Sequence, residues 1–149
     1  MYKYIKDGVV IGYSDGLVSD EDIQCVEATQ EEYQLYKLKQ DKVILNDELR
    51  DEALLGGVTY EGVLFDSDTD QKINLSATIE RMSETDTITW FGMDNRALLC
   101  TKADLINIGG LITELHAFCW QNNAYIKEQI AQAETLEQLE NIEISYEMV

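Results

Sequence analysis

The chain has no proline, one histidine, three cysteines and only 11 basic residues among 149, and each shortage excludes something. Without proline, nothing forces a helix to stop, so helix ends must be read from glycines and caps. One histidine leaves no second imidazole to complete a familiar zinc pattern. Cys25, Cys100 and Cys119 show no C-x-x-C spacing, and their odd number speaks against a disulfide framework and for folding in a reducing cytosol. Against 29 acidic residues the few basic ones leave a net charge of −18. A chain of that sign is repelled by phosphate backbones and anionic lipid, so nucleic acid and membrane surfaces are not expected partners. No apolar run approaches the ~20 residues of a membrane-spanning helix, so no membrane insertion is expected. The opening Met1-Tyr2-Lys3-Tyr4-Ile5-Lys6 lacks the apolar segment of a secretory signal, and a soluble, cytosolic protein is expected.

What is present is enough for a core. Hydrophobic residues make up 45% of the chain, and a compact chain of this length buries about 70% of its unfolded surface. One domain, or one domain with an appendage, fits. The charge is unevenly spread. No Lys or Arg lies between Lys6 and Lys37 or between Lys102 and Lys127, and after Lys127 come Glu128, Glu134, Glu137, Glu140, Glu143 and Glu147 with no basic residue. Acidity of this kind serves solubility; a charged partner, if one exists, should present a basic patch.

Tyr2–Ile5 and Val9–Tyr13 flank Lys6-Asp7-Gly8, a hairpin signal, and Gln24–Ala28 can add a third strand beyond an acidic loop at Ser14–Asp22. Thr29 and Glu32 form a capping box, so a helix should start at Gln30 and run to Leu55, with Asn46-Asp47 as a candidate break. A second capping box, Thr101 with Asp104, opens the longest helix. There Leu105, Ile108, Ile112, Leu115, Cys119, Ile126, Ile130 and Ala133 recur every three or four residues on one face, a stripe that Asn122 interrupts. Leu111, Phe118 and Trp120 add a second apolar set, so this half should be buried on more than one side. Gly109-Gly110 inside the helix suggests a close backbone approach or a kink. Thr135 and Gln138 should cap a short helix through about Asn141, and Ile142–Tyr146 can form an edge strand. The expected class is α+β: short antiparallel hairpins packed with long helices. The expected segments are a β-hairpin unit over 1–28, a connecting helix over 29–56 and an α+β domain over 57–149.

The middle third carries the most specific pattern. Val58–Tyr60 and Val63–Phe65 flank the turn pair Glu61-Gly62. Asp66 then sits where an N-cap belongs, with Asp68 and Asp70 in the first helical turn. Thr87–Phe91, a turn at Gly92–Asn95 and Ala97–Cys100 form another hairpin. The words GVTYEGVLFDSDTDQKI, ITWFGMDN and LCTKADL, with a long helix behind them, resemble a domain of unknown function that recurs in tail and tail-fibre proteins of bacteriophages and prophages. The likeness runs from about Gly57 to about Ile144. The N-terminal part, ending in Val26-Glu27-Ala28-Thr29-Gln30-Glu31-Glu32-Tyr33, is similar to the start of small tail-fibre assembly proteins. The resemblance brings no catalytic residues and no cofactor. It implies a non-enzymatic tail protein acting by association with other tail or fibre proteins, made in the host bacterial cytoplasm and carried in the virion tail if structural. Fibres are commonly trimeric, so a homotrimer is a corollary. An assembly chaperone absent from the finished particle is the alternative, and a receptor-directed hydrolase a third.

Asp66, Asp68 and Asp70 suggest a calcium loop, but its sixth and twelfth positions would be Gln71 and Ala77 instead of Gly and Glu, and helix capping explains them better. His116 and Cys119 share a helical face, yet nothing in the sequence completes a zinc site or orients a catalytic pair. No phosphate-cradling glycine loop, G-x-S-x-G or H-E-x-x-H occurs. Trp90 and Trp120 read as core. For a contact surface the candidates are Tyr2, Tyr4 and Tyr13 on the first hairpin and Leu35 and Leu38 on the first helix, with ordinary packing equally open. Asn122 has two readings, a buried polar residue that fixes helix register or a solvated position.

Overall fold

Hairpins form where the chain offers residues able to take positive φ. Asp7 and Gly8 (φ 52° and 79°) join the first strand pair, and Glu61 and Gly62 (49° and 76°) the next. Two consecutive left-handed residues make the tight turn whose twist matches paired strands. The computed structural model describes residues 1–17 and 19–148. Val18, inside the expected loop Ser14–Asp22, and Val149, at the end of the expected segment 57–149, lie outside the described residues. The described elements are, in order, β1 Tyr2–Lys6, β2 Val9–Ser14, β3 Gln24–Glu27, α1 Gln30–Leu54, β4 Val58–Tyr60, β5 Val63–Phe65, α2 Thr69–Arg81, β6 Thr87–Phe91, β7 Ala97–Thr101, α3 Lys102–Gln132 and α4 Leu136–Glu140. The class is α+β.

Two compact units result, Met1–Ile44 with Gln129–Glu143, and Leu45–Glu128 with Ile144–Val149. In the first, β1 is the middle strand of a three-stranded antiparallel sheet ordered β2-β1-β3. Tyr4 points inward from it and is buried, its hydroxyl donating to the Gly16 carbonyl. The Thr29–Glu32 capping box forms in full: the Glu32 N–H donates to Thr29 Oγ1 at 3.1 Å and the Thr29 N–H to Glu32 Oε2 at 2.9 Å. From that cap α1 runs unbroken through Asn46-Asp47.

The second unit holds two antiparallel hairpins, β4–β5 and β6–β7, with α2 and most of α3. Val63, Phe65, Leu75, Cys100, Leu105, Ile108 and Ile112 make one buried cluster, with Trp90, Leu98 and Met82 packed against it. Each fully buried side chain of this size contributes about 1.5–3 kcal/mol. The hairpins meet backbone to backbone. The Met93 N–H donates to the Leu64 carbonyl at 2.8 Å, and a Cβ added to Gly92 would stand 2.5 Å from that oxygen. Gly57 has the same constraint against Phe65 O and also a φ of 82°. These two glycines are what allow β5 to be approached so closely.

Four expectations are corrected. Asp68, not Asp66, caps α2: its backbone is extended and its carboxylate accepts from the Gln71 N–H at 2.7 Å. The start is delayed because Ser67 is buried, donating to Leu54 O at 2.6 Å and accepting from Gly57 N–H at 3.0 Å. A Cβ placed at Gly109 or Gly110 meets open space among the described residues, so of the two readings offered for this pair the close backbone approach is the one overturned. Trp120 is 53% exposed and is not core, whereas Leu111 and Phe118, the rest of the second apolar set, are half-buried. Ile142–Tyr146 forms no strand, because side chains of the helices take its polar groups instead: Lys42 Nζ donates to Ile142 O at 2.9 Å, and Asn122 Nδ2 to Ser145 O at 2.7 Å.

Candidate functional site

The buried stripe of α3 is the expected one with one substitution of place. Leu105, Ile108, Ile112, Leu115, Cys119, Ile126, Ile130 and Ala133 are all buried, and the polar member between Cys119 and Ile126 is Asn123. Asn123 lies four residues after Cys119 and three before Ile126, in phase with the stripe; Asn122 is one position off it and half-buried. On α1 a single residue is fully buried, and it too is an asparagine, Asn46.

These two asparagines organise a closed polar network. Asn46 Nδ2 donates to the Asn123 carbonyl at 3.1 Å, and the Tyr146 hydroxyl donates to Asn46 Oδ1 at 2.7 Å. Asn123 Nδ2 reaches Asp47 Oδ1 at 2.9 Å and the Tyr146 hydroxyl oxygen at 3.2 Å. Asp47 is also paired with Lys127 at 2.7 Å and Arg50 at 2.9 Å. The Lys127 hydrogen bond, with help from Asn123, holds the Asp47 carboxyl below the usual carboxylate range. Arg50 then lies over the Trp120 ring, 4.4 Å from its centre, a cation–π contact. Among the described residues no buried side-chain polar atom lacks a partner. An arrangement this complete orders structure.

His116 sits elsewhere on α3. Its Nε2 lies 2.6 Å from the Ser67 carbonyl oxygen, and since a carbonyl can only accept, Nε2 carries the proton. Two shallow grooves flank the ring, about 250 Å³ beside Asp51, Leu54, Leu55 and Asp68, and about 510 Å³ beside Lys72, Ile73, Ser76 and Glu80. Cys119 is fully buried, and burial pushes its thiol pKa up, which lowers its nucleophilicity. Among the described residues no hydrogen bond joins His116 to Cys119. Among the described residues no group of three or more His, Cys, Asp or Glu is placed to hold a metal.

Each of the expected contact residues has its surroundings within its own unit. Tyr13 stacks on Tyr33 and Tyr36, ring centres 5.7 and 4.7 Å away. Tyr2 is half-buried and Tyr4 buried; Leu35 is half-buried, Leu38 exposed, and Asn122 is bound to the Ser145 carbonyl. The structure brings Tyr13 to the first turns of α1. The network missed from sequence could have been found in part, since Asn123 is the residue in phase with the stripe. Asn46 carried no such signal in a helix with apolar residues on more than one side.

Residues 37–146 match the family described as a domain of unknown function, DUF4376, and the chain belongs to that family. No curated protein and no solved structure matches the chain. The matched span begins inside α1, earlier than the Gly57 boundary expected from the motifs. It takes in the whole Asn46–Asn123–Tyr146 network and leaves out the β2-β1-β3 sheet. No helix among the described residues is long and apolar enough to cross a membrane.

Proposed function

We propose that this chain is a non-enzymatic association module of a bacteriophage or prophage tail apparatus, a component or accessory of the tail fibre. The setting rests on the likeness of the hairpin and helix motifs between Gly57 and Ile144 to domains found in tail proteins. The observation that carries the association reading is α1. Over 25 residues it buries only Asn46 fully, while Leu38, Ile44 and Leu45 remain exposed. A helix this poorly covered is more stable with a partner against it, because most helical stability in water comes from burying a face. The net charge of −18 favours a partner with a basic surface. The bond of His116 to a backbone carbonyl and the burial of Cys119 support a non-catalytic role.

Quantitative mass spectrometry of purified particles from a producing strain tests the proposal. Stoichiometric presence, in multiples of the tail or fibre symmetry, is the expected result. Absence from particles with abundance in the lysate makes the chain an assembly chaperone, and co-expression with the neighbouring fibre gene then should yield a soluble complex. Absence from both, with no fibre protein recovered, overturns the proposal.

A further inference from the structure

The β6–β7 hairpin is a sheet of two strands, so each strand has an edge with no ladder partner among the described residues. Its turn fixes which groups lie on those edges. The Gly92 N–H donates to the Arg96 carbonyl at 2.9 Å and the Asn95 N–H to the Gly92 carbonyl at 3.0 Å, with Asn95 left-handed at φ 61°. Gly92 and Arg96 are thus a hydrogen-bonded pair. Such pairs alternate along an antiparallel ladder, so Thr89 and Leu99, which stand opposite each other, aim their N–H and C=O groups outward.

The outer face of this hairpin carries no charge although the chain is at −18. Thr87, Thr89 and Phe91 on β6 and Ala97, Leu99 and Thr101 on β7 are all exposed, Phe91 by 61% and Leu99 by 67%. Neither strand has a proline, a charged residue or a bulge of its own, the devices that ordinarily blunt an edge. Only at the end of β7 does a carboxylate take an outward group, the Thr101 N–H donating to Asp104 Oδ2 at 2.7 Å, so the open stretch of that edge is centred on Leu99. The N-terminal sheet does use them: β2 is bulged opposite Tyr4/Ile5, and β3 is short and ends in Glu27.

Charge at the strand ends selects the occupant. β6 is bracketed by Asp86 and Asp94, β7 by Arg96 and Lys102. Pairing β6 with another β6 sets acid against acid, and β7 with β7 sets base against base. β6 against β7 sets the acid at the start of β6 beside the base at the end of β7. In the antiparallel register that repeats the hairpin's own, Thr89 meets the partner's Leu99, their outward groups face each other, and Asp86 meets the partner's Lys102. We infer that the chain self-associates head to tail through this hairpin, β6 of one copy adding to β7 of the next. Lys102 already pairs with Glu84 at the surface and the Asp86 carboxylate already accepts from the Ser83 N–H, so the one intermolecular ion pair is an exchange that sets register, while Arg96 stays with Asp94 of its own hairpin. Ladder bonds and the covering of Phe91 and Leu99 supply the attraction. The contact is heterologous, so it closes into a ring or extends as a filament. This concerns the chain alone, and its failure leaves the tail-apparatus reading untouched.

Sedimentation velocity on the full chain, over a wide concentration range, is the test. The wild type should rise from 17.0 kDa toward multiples of that mass. Thr89→Pro and Leu99→Pro each delete one outward N–H without removing a bond of the hairpin's own ladder, and each alone should stay monomeric. Mixed, they should form a species of twice the monomer mass, because one retains a working β7 edge and the other a working β6 edge. A wild type that stays monomeric overturns the inference, as does association unaffected by either substitution. A mixture that stays monomeric while the wild type assembles also overturns it, since intact β6 and β7 edges are then both present and do not pair; so does self-association of either proline variant alone, which shows like edges pairing. Should a proline variant lose its helical circular dichroism, Thr89→Lys and Leu99→Lys carry the same test.

Discussion

Helices α1 and α3 run 25 and 31 residues and begin with capping boxes of the same type, yet they are held in place by different means. α3 lays down a stripe of buried aliphatic residues from Leu105 to Ala133, interrupted by one amide. α1 carries apolar residues on more than one side, with Val43 and Ile44 off the Leu35–Leu49 row, and buries completely only Asn46, whose side chain is bonded at both ends. One helix is fixed by area and the other by a few directed hydrogen bonds. Apolar area tolerates small shifts, because dispersion and hydrophobic contact are nondirectional; an amide pair does not. The asparagines therefore set the register between the Leu45–Leu54 part of α1 and the Asn122–Lys127 part of α3, and the aliphatic stripe supplies most of the stabilisation.

The comparison can be broken most strongly at Ile112, which is fully buried. Ile112→Ala should cost about 2–5 kcal/mol in denaturant unfolding, whereas Leu38→Ala on the exposed side of α1 should stay within about 0.5 kcal/mol. Equal effects would mean that α1 is packed as α3 is. Next comes Asn46→Ala, which strands the Tyr146 hydroxyl and the Asn123 carbonyl. We expect a loss of about 1–3 kcal/mol, and about 0.5–1.5 kcal/mol for Tyr146→Phe, by the same measurement. A neutral Asn46→Ala would remove the idea that α1 depends on directed bonds.

Gly109 and Gly110 sharpen the comparison in the other direction. Both have open space around them, so Gly109→Ala and Gly110→Ala should each raise stability by about 0.5–1 kcal/mol; a loss in either would reveal a covering surface on α3. The smallest effect should come from pH. Asp47 is held below its ordinary value of 3.8 in the folded chain, chiefly by Lys127. Its contribution is complete above the unfolded value and is lost as pH falls through the depressed folded value. Asp47→Asn should therefore unfold with a shallower acid limb than wild type below about pH 4, seen in denaturant midpoints taken across that range.

How much of this was legible in the sequence follows the same division. Periodicity marks α3 because burial by area leaves a repeating trace, and turn pairs such as Asp7-Gly8 and Glu61-Gly62 announce hairpins because few residues accept positive φ. The capping boxes at Thr29 and Thr101 are equally local. What escaped is nonlocal. Asp66 and Asp68 are equivalent as caps until Ser67 is known to be buried against Leu54 and Gly57. Asn122 and Asn123 are neighbours with the same side chain, and only the phase of the stripe separates them. Ile142–Tyr146 has strand-like composition, but Lys42 and Asn122 claim its carbonyls first.

The bond between Tyr146 and Asn46 spans 100 positions of sequence. Contacts at that separation require the largest loops to close and are made late, after hairpins and helical turns that need only neighbours. Folding should thus leave the inner half of α1 as a preformed but unlatched helix, its leucines open, until the C-terminal segment arrives. The order of assembly along the chain is then the reverse of what its termini suggest: the first long helix to be synthesised is the last to be secured.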